Sequence, residues 1–199
     1  MKNNQTGELP EVRWDRLLRI KTAGRDDSSA DQYRYPYEPT PYSVLERLAG
    51  SGWIRKGNIL LDYGCGKGRV GLFLSCQTRC RSIGVEYDPR IYENSGEPKF
   101  LCILWKILLC PGQCRTLCRS LLRRPGLLFQ PIFSGASPKG HGPDPREILL
   151  FFYYPSDSYL SYLTSVPEMA FFDEIPCGDL FPGNDPRETI MIFELPYPM

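Results

Sequence analysis

The chain has 199 residues, 42% of them hydrophobic, and a formal charge of +1 at neutral pH. That length suits one domain with a sizeable core, and so balanced a charge offers no electrostatic case for nucleic acid or a membrane surface as partner. Met1–Gln5 is polar with no apolar stretch behind it, so no secretory signal is expected. The most apolar window, Phe100–Leu109, is too short for a bilayer and carries Lys106. Eight cysteines would fit a disulfide scaffold only in a small secreted chain, so a cytoplasmic, reduced protein is the expectation.

Residues 1–42 read as an N-terminal arm, polar at first and then aromatic, ending in Tyr33-Arg34-Tyr35-Pro36-Tyr37-Glu38-Pro39-Thr40-Pro41-Tyr42. Its prolines argue against a regular helix before Pro41, which can occupy a first helical turn with Thr40 as cap. Residues 43–199 read as a single domain. Ser43–Ala49 is its first helix, with Val44, Leu45 and Leu48 on one face. Asn58–Asp62 is a buried strand that runs into Tyr63-Gly64-Cys65-Gly66-Lys67-Gly68, after which Arg69–Ser75 is helical. Glycines at alternate positions let the backbone turn sharply and let a ligand approach where a Cβ would intrude. Ser82–Tyr87 is the second strand, carrying Glu86 at its end, where a carboxylate can accept both hydroxyl hydrogen bonds of a ribose. Asp88-Pro89-Arg90 starts the next helix.

This pattern resembles the cofactor site of class I S-adenosylmethionine-dependent methyltransferases. Asp62, Gly64, Gly66 and Gly68 fall on that family's D-x-G-x-G-x-G loop, with Tyr63 and Cys65 between them, and Glu86 falls on its ribose-binding acid. The resemblance implies a Rossmann-like α/β fold, S-adenosylmethionine as cofactor, and an arm that folds over it. The arm's aromatic rings then either shield the sulfonium or pack on the sheet as a proline-stiffened strap. A second reading stays open, an NAD-type Rossmann oxidoreductase, because Gly66–Gly71 also satisfies the G-x-G-x-x-G dinucleotide fingerprint. Asp62 speaks against it: its carboxylate suits a positive amino acid moiety and would repel a pyrophosphate. A glycine turn that serves packing alone is the third reading, and a non-catalytic cofactor-binding or interaction protein remains an alternative to an enzyme.

From Pro98 to Pro143 the composition changes abruptly. The stretch has no Asp, Glu, Tyr, Val, Asn or Met, yet holds Cys102, Cys110, Cys114 and Cys118, the single histidine His141, and seven Lys or Arg. Cys110, Cys114 and Cys118 recur every fourth residue, which matches neither a zinc knuckle nor a radical iron–sulfur site, so no metal is expected. One explanation is a basic insertion. The favoured one is translation out of frame, and the genetic code supports it. Moved forward one nucleotide, with third bases free, Arg123–Gly135 can read A-D-R-V-Y-F-F-N-P-F-S-V-E. Leu109–Arg115 can read F-V-L-A-N-A-E, and Pro138–Asp144 can read Q-K-V-M-A-R-I. These restore an apolar strand ending in Asn-Pro-Phe, an adenine-side strand and loop, and an amphipathic helix. Asn-Pro-Phe resembles the N/D-P-P-F/Y signature of amino-group methyltransferases, which implies an amino nitrogen as methyl acceptor. No catalytic residue can be named in the sequence as written, and His141, inside the anomalous stretch, is a poor candidate.

Beyond it, Glu147–Tyr154 is a continuous apolar run suited to a central parallel strand buried on both faces. Pro155-Ser156-Asp157 starts a helix through Tyr159, Leu160 and Leu163. Met169–Ile175 and Thr189–Leu195 are strands joined across Pro182–Pro186. The expected architecture is thus a mostly parallel sheet with an antiparallel C-terminal hairpin, disrupted in the middle.

Overall fold

A computed structural model describes residues 9–25, 37–86, 132–134, 147–167 and 169–196. Helix α1 (Pro10–Leu18) and helix α2 (Tyr42–Gly50) precede strand β1 (Ile59–Tyr63), helix α3 (Arg69–Thr78) and strand β2 (Arg81–Val85). Strand β3 (Ile132–Ser134), strand β4 (Glu147–Tyr153), helix α4 (Asp157–Ser165), strand β5 (Ala170–Pro176), a 3-10 turn (Gly178–Leu180) and strand β6 (Thr189–Pro196) follow. The six strands form one mixed sheet in the order β2-β1-β3-β4-β6-β5.

Strand β4 shows why the sheet is covered twice. Leu149, Leu150, Phe151 and Phe152 are each 1% exposed or less. Because side chains alternate across a strand, they divide between two cores. Leu149 and Phe151 pack with Tyr42, Leu45 and Leu48 of α2, with Phe73 and Leu74 of α3, and with Ile190 and Ile192 of β6. Leu150 and Phe152 pack with Tyr159 and Leu163 of α4 and with Phe193 and Leu195. Helices therefore lie on both faces, as a continuous apolar strand requires.

Strand directions depart from the expectation of a mostly parallel sheet. β1 and β2 pair in parallel, Asp62 opposite Gly84 and Tyr63 opposite Val85. β3, however, runs antiparallel to both β1 and β4. β4 pairs antiparallel with β6, and β6 with β5, so the expected terminal hairpin is present. Strands β1, β2, β4 and β5 thus share one direction, with β3 and β6 reversed. The reversal at β3 has a simple physical reading. The inner edges of β1 and β4 leave backbone donors and acceptors that must be paired, and three residues suffice to bridge them in either direction. The helix expected from Asp88, and all of Pro98–Pro143 except β3, lie outside the described residues.

The arm also departs from expectation. Pro10 opens α1 within its first turn, where its missing N–H costs nothing, and the helix runs on to Leu18. Trp14 and Leu18, one helical repeat apart, pack against the α2–α3 core. Pro41, not Thr40, is the N-cap of α2, and it supplies no side-chain cap. A carboxylate oxygen of Glu11 on α1 instead accepts the Tyr42 N–H at 3.2 Å, so one helix caps the other. Trp14 donates its indole N–H to Glu46 at 2.7 Å, a second tie between the two helices.

Phe73 is the hinge pin of this packing. It is fully buried, with the Trp14 ring edge-on at 4.8 Å and the Tyr42 ring at 5.4 Å. Phe73→Ala is expected to lower unfolding stability by about 3–5 kcal/mol in denaturant titration. A loss under about 1 kcal/mol would show that α1 and α2 do not pack on α3 in solution.

Candidate functional site

The parallel pair β1–β2 brings its carboxyl ends to one edge of the sheet, where ligands of open α/β sheets bind. From Tyr63 the chain turns through Gly64 (φ 73°), Gly66 (φ 53°) and Gly68 (φ 83°) into α3. All three are left-handed, a region that side-chain-bearing residues enter only at a cost, so the alternate glycines are needed for the path itself. Gly68 N–H donates to the Cys65 carbonyl at 2.7 Å and Leu72 N–H to the Gly68 carbonyl at 3.0 Å, which closes the loop onto the helix.

The sequence-derived residues gather here. Asp62 is fully buried at the penultimate position of β1. Glu86, 8% exposed, follows β2 directly, and its carboxylate accepts the Gly66 N–H at 2.7 Å. The acid of the second strand thus holds the middle of the glycine loop. Cys65 is buried within the loop, whereas the Tyr63 ring turns away from it into the α4-side core with Leu150, Phe152 and Phe193.

A buried polar knot beside the loop had no counterpart in the sequence reading. Arg69, the first residue of α3, is 2% exposed. Its Nε donates to the Thr22 hydroxyl at 2.7 Å and its Nη1 to the Thr40 carbonyl at 3.1 Å. Its guanidinium lies over the Tyr42 ring, 4.3 Å from the centroid, and 3.8 Å from the Asp15 carboxylate. Asp15 in turn accepts the Thr22 N–H at 2.6 Å, the Thr22 hydroxyl at 2.5 Å, the Ala23 N–H at 3.0 Å and the Tyr42 hydroxyl at 2.7 Å. Burial alone would raise the Asp15 carboxyl, but these hydrogen bonds outweigh it and hold it below its ordinary value of 3.8. The one sequence signal for the knot was the basic residue directly after the glycine loop.

Tyr37 completes this side. Its hydroxyl donates to the Thr22 carbonyl at 2.9 Å, and Lys67 Nζ lies 4.8 Å from its ring centroid. A Cβ placed on Gly66 would stand 2.7 Å from Tyr37 Cδ2. The ring therefore occupies the space that the glycine leaves. Burial pushes the Tyr37 phenol well above its ordinary range, so it is a neutral donor at physiological pH.

Farther along the same edge, past β4, Tyr153 donates its hydroxyl to Glu188. Tyr154 adopts φ 51°, with Arg187 over its ring at 5.3 Å. Arg187 donates to Asp185 at 2.7 Å, which holds that carboxyl down at about 2. Among the described residues, no group of three or more His, Cys, Asp or Glu is placed to hold a metal ion. No described helix is long and apolar enough to cross a membrane. His141 and the segment that the shifted frame would read as Asn-Pro lie outside the described residues.

The chain matches no protein-family model, and no curated protein matches it in sequence. A solved structure of similar outline is a TehB-like SAM-dependent methyltransferase from Corynebacterium glutamicum, 16% identical, covering 93% of this chain and 95% of that one at a TM-score of 0.44. At that score the likeness assigns no function.

The Asp15 knot has a pH signature. A carboxyl held low when folded contributes stability that is fully present above its unfolded value and lost as pH falls through the folded one. Thermal melts of the native chain should therefore drop through the region below about pH 4, and part of that acid limb should vanish in Asp15→Asn. An unchanged limb would show that Asp15 is not the anchoring charge.

Proposed function

We propose that this chain derives from a class I S-adenosylmethionine-dependent methyltransferase, with the cofactor cradled at Gly64–Gly68 between Asp62 and Glu86. The observation that carries this reading is the pairing of a left-handed triple-glycine turn after β1 with an acid at the end of the adjacent parallel strand. The antiparallel β5–β6 hairpin at the end of the chain also suits the reversed last strand that the resemblance implies. A strongly buried Asp62 suits a cationic amino group and disfavours a pyrophosphate, which argues for this cofactor over NAD.

When bound, S-adenosylmethionine supplies a methyl group already activated on a positive sulfonium. The protein's own share of the work is then alignment. Asp62 fixes the amino acid end, directly or through water. The Cβ-free loop permits close approach, and Glu86 takes the ribose hydroxyls in place of, or together with, the Gly66 N–H. An amino nitrogen is the acceptor that the shifted-frame Asn-Pro-Phe suits. In the chain as written, the strand between β1 and β4 runs backwards, and Gln130-Pro131-Ile132 stands where Asn-Pro-Phe belongs. In-line transfer depends steeply on near-attack geometry, so this chain should turn over poorly or not at all.

Calorimetry on a frame-restored chain should show binding of S-adenosylhomocysteine and none of NAD. Glu86→Ala should weaken that binding by about 1.5–3 kcal/mol, the value of charge-assisted hydrogen bonds. NAD binding without a response to S-adenosylhomocysteine would refute the reading. Radiolabelled methyl transfer should be absent for the chain as written and present once the frame is restored. A gene whose codons across residues 123–135 cannot spell Asn-Pro-Phe in the neighbouring frame would remove the basis for that contrast.

A further inference from the structure

We propose that Tyr37 is a gate on the glycine loop: its ring fills the face of Gly66 that a cofactor needs, so ligand entry requires the ring to leave. The inference rests on the reading of Gly64–Gly68 as a cofactor cradle, and it reverses the expected sign of the arm's contribution. A shielding aromatic would form a wall that improves binding. A ring already seated on the loop competes with the ligand.

The geometry carries the competition. A glycine at a cradle leaves room for one occupant, and at Gly66 the occupant is the Tyr37 ring edge, close enough that a single added carbon would collide with it. The ring is latched there by its hydroxyl bond to the Thr22 carbonyl. Thr22 is itself held by three contacts from the buried knot, two to Asp15 and one from Arg69. Lys67, inside the loop, adds a cation over the ring. The seated position is therefore supported at both ends, by the arm and by the loop. A ligand that binds only the open state has its apparent affinity reduced by the fraction of open molecules. Removing the ring removes that reduction.

Cys65 reports the gate without any ligand. It is 2% exposed and lies between Gly64 and Gly66, directly beside the glycine whose face the Tyr37 ring fills. Cys80 and Cys177 are also buried but sit in the α2–α3 core, where burial pushes the Cys177 thiol up to about 11. They serve as internal controls for the integrity of the fold, and exposed Cys76 serves as the reactive reference.

The test is N-ethylmaleimide labelling of the intact chain, mapped by peptide mass spectrometry, in the native protein, Tyr37→Phe and Tyr37→Ala. Cys65 should label about tenfold faster or more in Tyr37→Ala, while Cys80 and Cys177 stay protected. Tyr37→Phe keeps the ring but loses the latch to Thr22, and should fall between the two. S-adenosylhomocysteine should protect Cys65 in Tyr37→Ala at a severalfold lower concentration than in the native protein. Unchanged Cys65 labelling in Tyr37→Ala, or protection that needs more ligand there than in the native chain, overturns the gate and leaves the cradle reading standing. Failure of S-adenosylhomocysteine to protect Cys65 in every version, and in the frame-restored chain as well, overturns the cradle reading, and the gate with it. Loss of Cys80 and Cys177 protection would show that the Tyr37 ring holds the fold rather than the loop, which also overturns the gate.

Discussion

A guanidinium taken out of water must be surrounded, and the burial of Arg69 organises everything on its side of the sheet. One charge at the start of α3 draws in a hydroxyl from Thr22, a carbonyl from Thr40, the face of Tyr42 and the carboxylate of Asp15. Leaving any of these unmet would strand a buried charge, a penalty of several kcal/mol, so the partners are constrained together. Because they come from α1, from the strap after it and from the entrance to α2, the knot binds three stretches of the arm to the helix that the glycine loop feeds. The Asp15 carboxylate, with four donors of its own, keeps the arrangement anionic at its centre and offsets the Arg69 charge.

The apolar counterpart of that knot is β4. Its alternating side chains feed two cores, one under α2 and α3 and one under α4, so a single strand ties both faces of the sheet. Strand β6 repeats the alternation, Ile190 and Ile192 toward one core and Phe193 and Leu195 toward the other. β4 is therefore joined to the terminal β5–β6 hairpin both by its pairing with β6 and by the two shared cores. β1 and β2 form the other part of the sheet, a parallel pair with the glycine loop at its end. What joins the two halves of the sheet is β3, three residues paired in the reverse sense.

The loop illustrates how one residue type can meet several demands at once. Gly64, Gly66 and Gly68 are required by backbone path, since all three sit at positive φ. Gly66 is required a second time, because Tyr37 fills the volume a side chain would take. The same N–H that a ligand would find at Gly66 is held by Glu86. A glycine-rich turn read as open space for a ligand is, in the folded chain, a surface already in contact with its own protein.

How much of this was legible beforehand depended on the range of the interactions involved. Local pattern determined the helix after Pro41, the strand that carries Asp62 and the one that leads into Glu86, the glycine turn, the apolar run of β4 and the terminal hairpin. Each of these is dictated by periodicity, glycine conformation or turn residues within a few positions of one another. The helix at Pro10–Leu18 escapes a proline rule because Pro10 stands in its first turn, where a missing N–H costs nothing, and the other prolines of the arm lie beyond it. The cap of α2 came from Glu11, 31 residues away, which no local rule reports. The same holds for the Asp15–Arg69 knot, whose members are scattered from α1 to α3 and become neighbours only when the arm folds back. Strand direction at β3 was likewise undecidable from the segment itself, because backbone hydrogen bonding between β1 and β4 can be satisfied in either sense. The sequence by itself determined which residues must turn, pair or hide. Tertiary structure alone decided which distant groups compensate a buried charge, and which side chain occupies the space a glycine leaves, because both depend on partners brought together through space rather than along the chain.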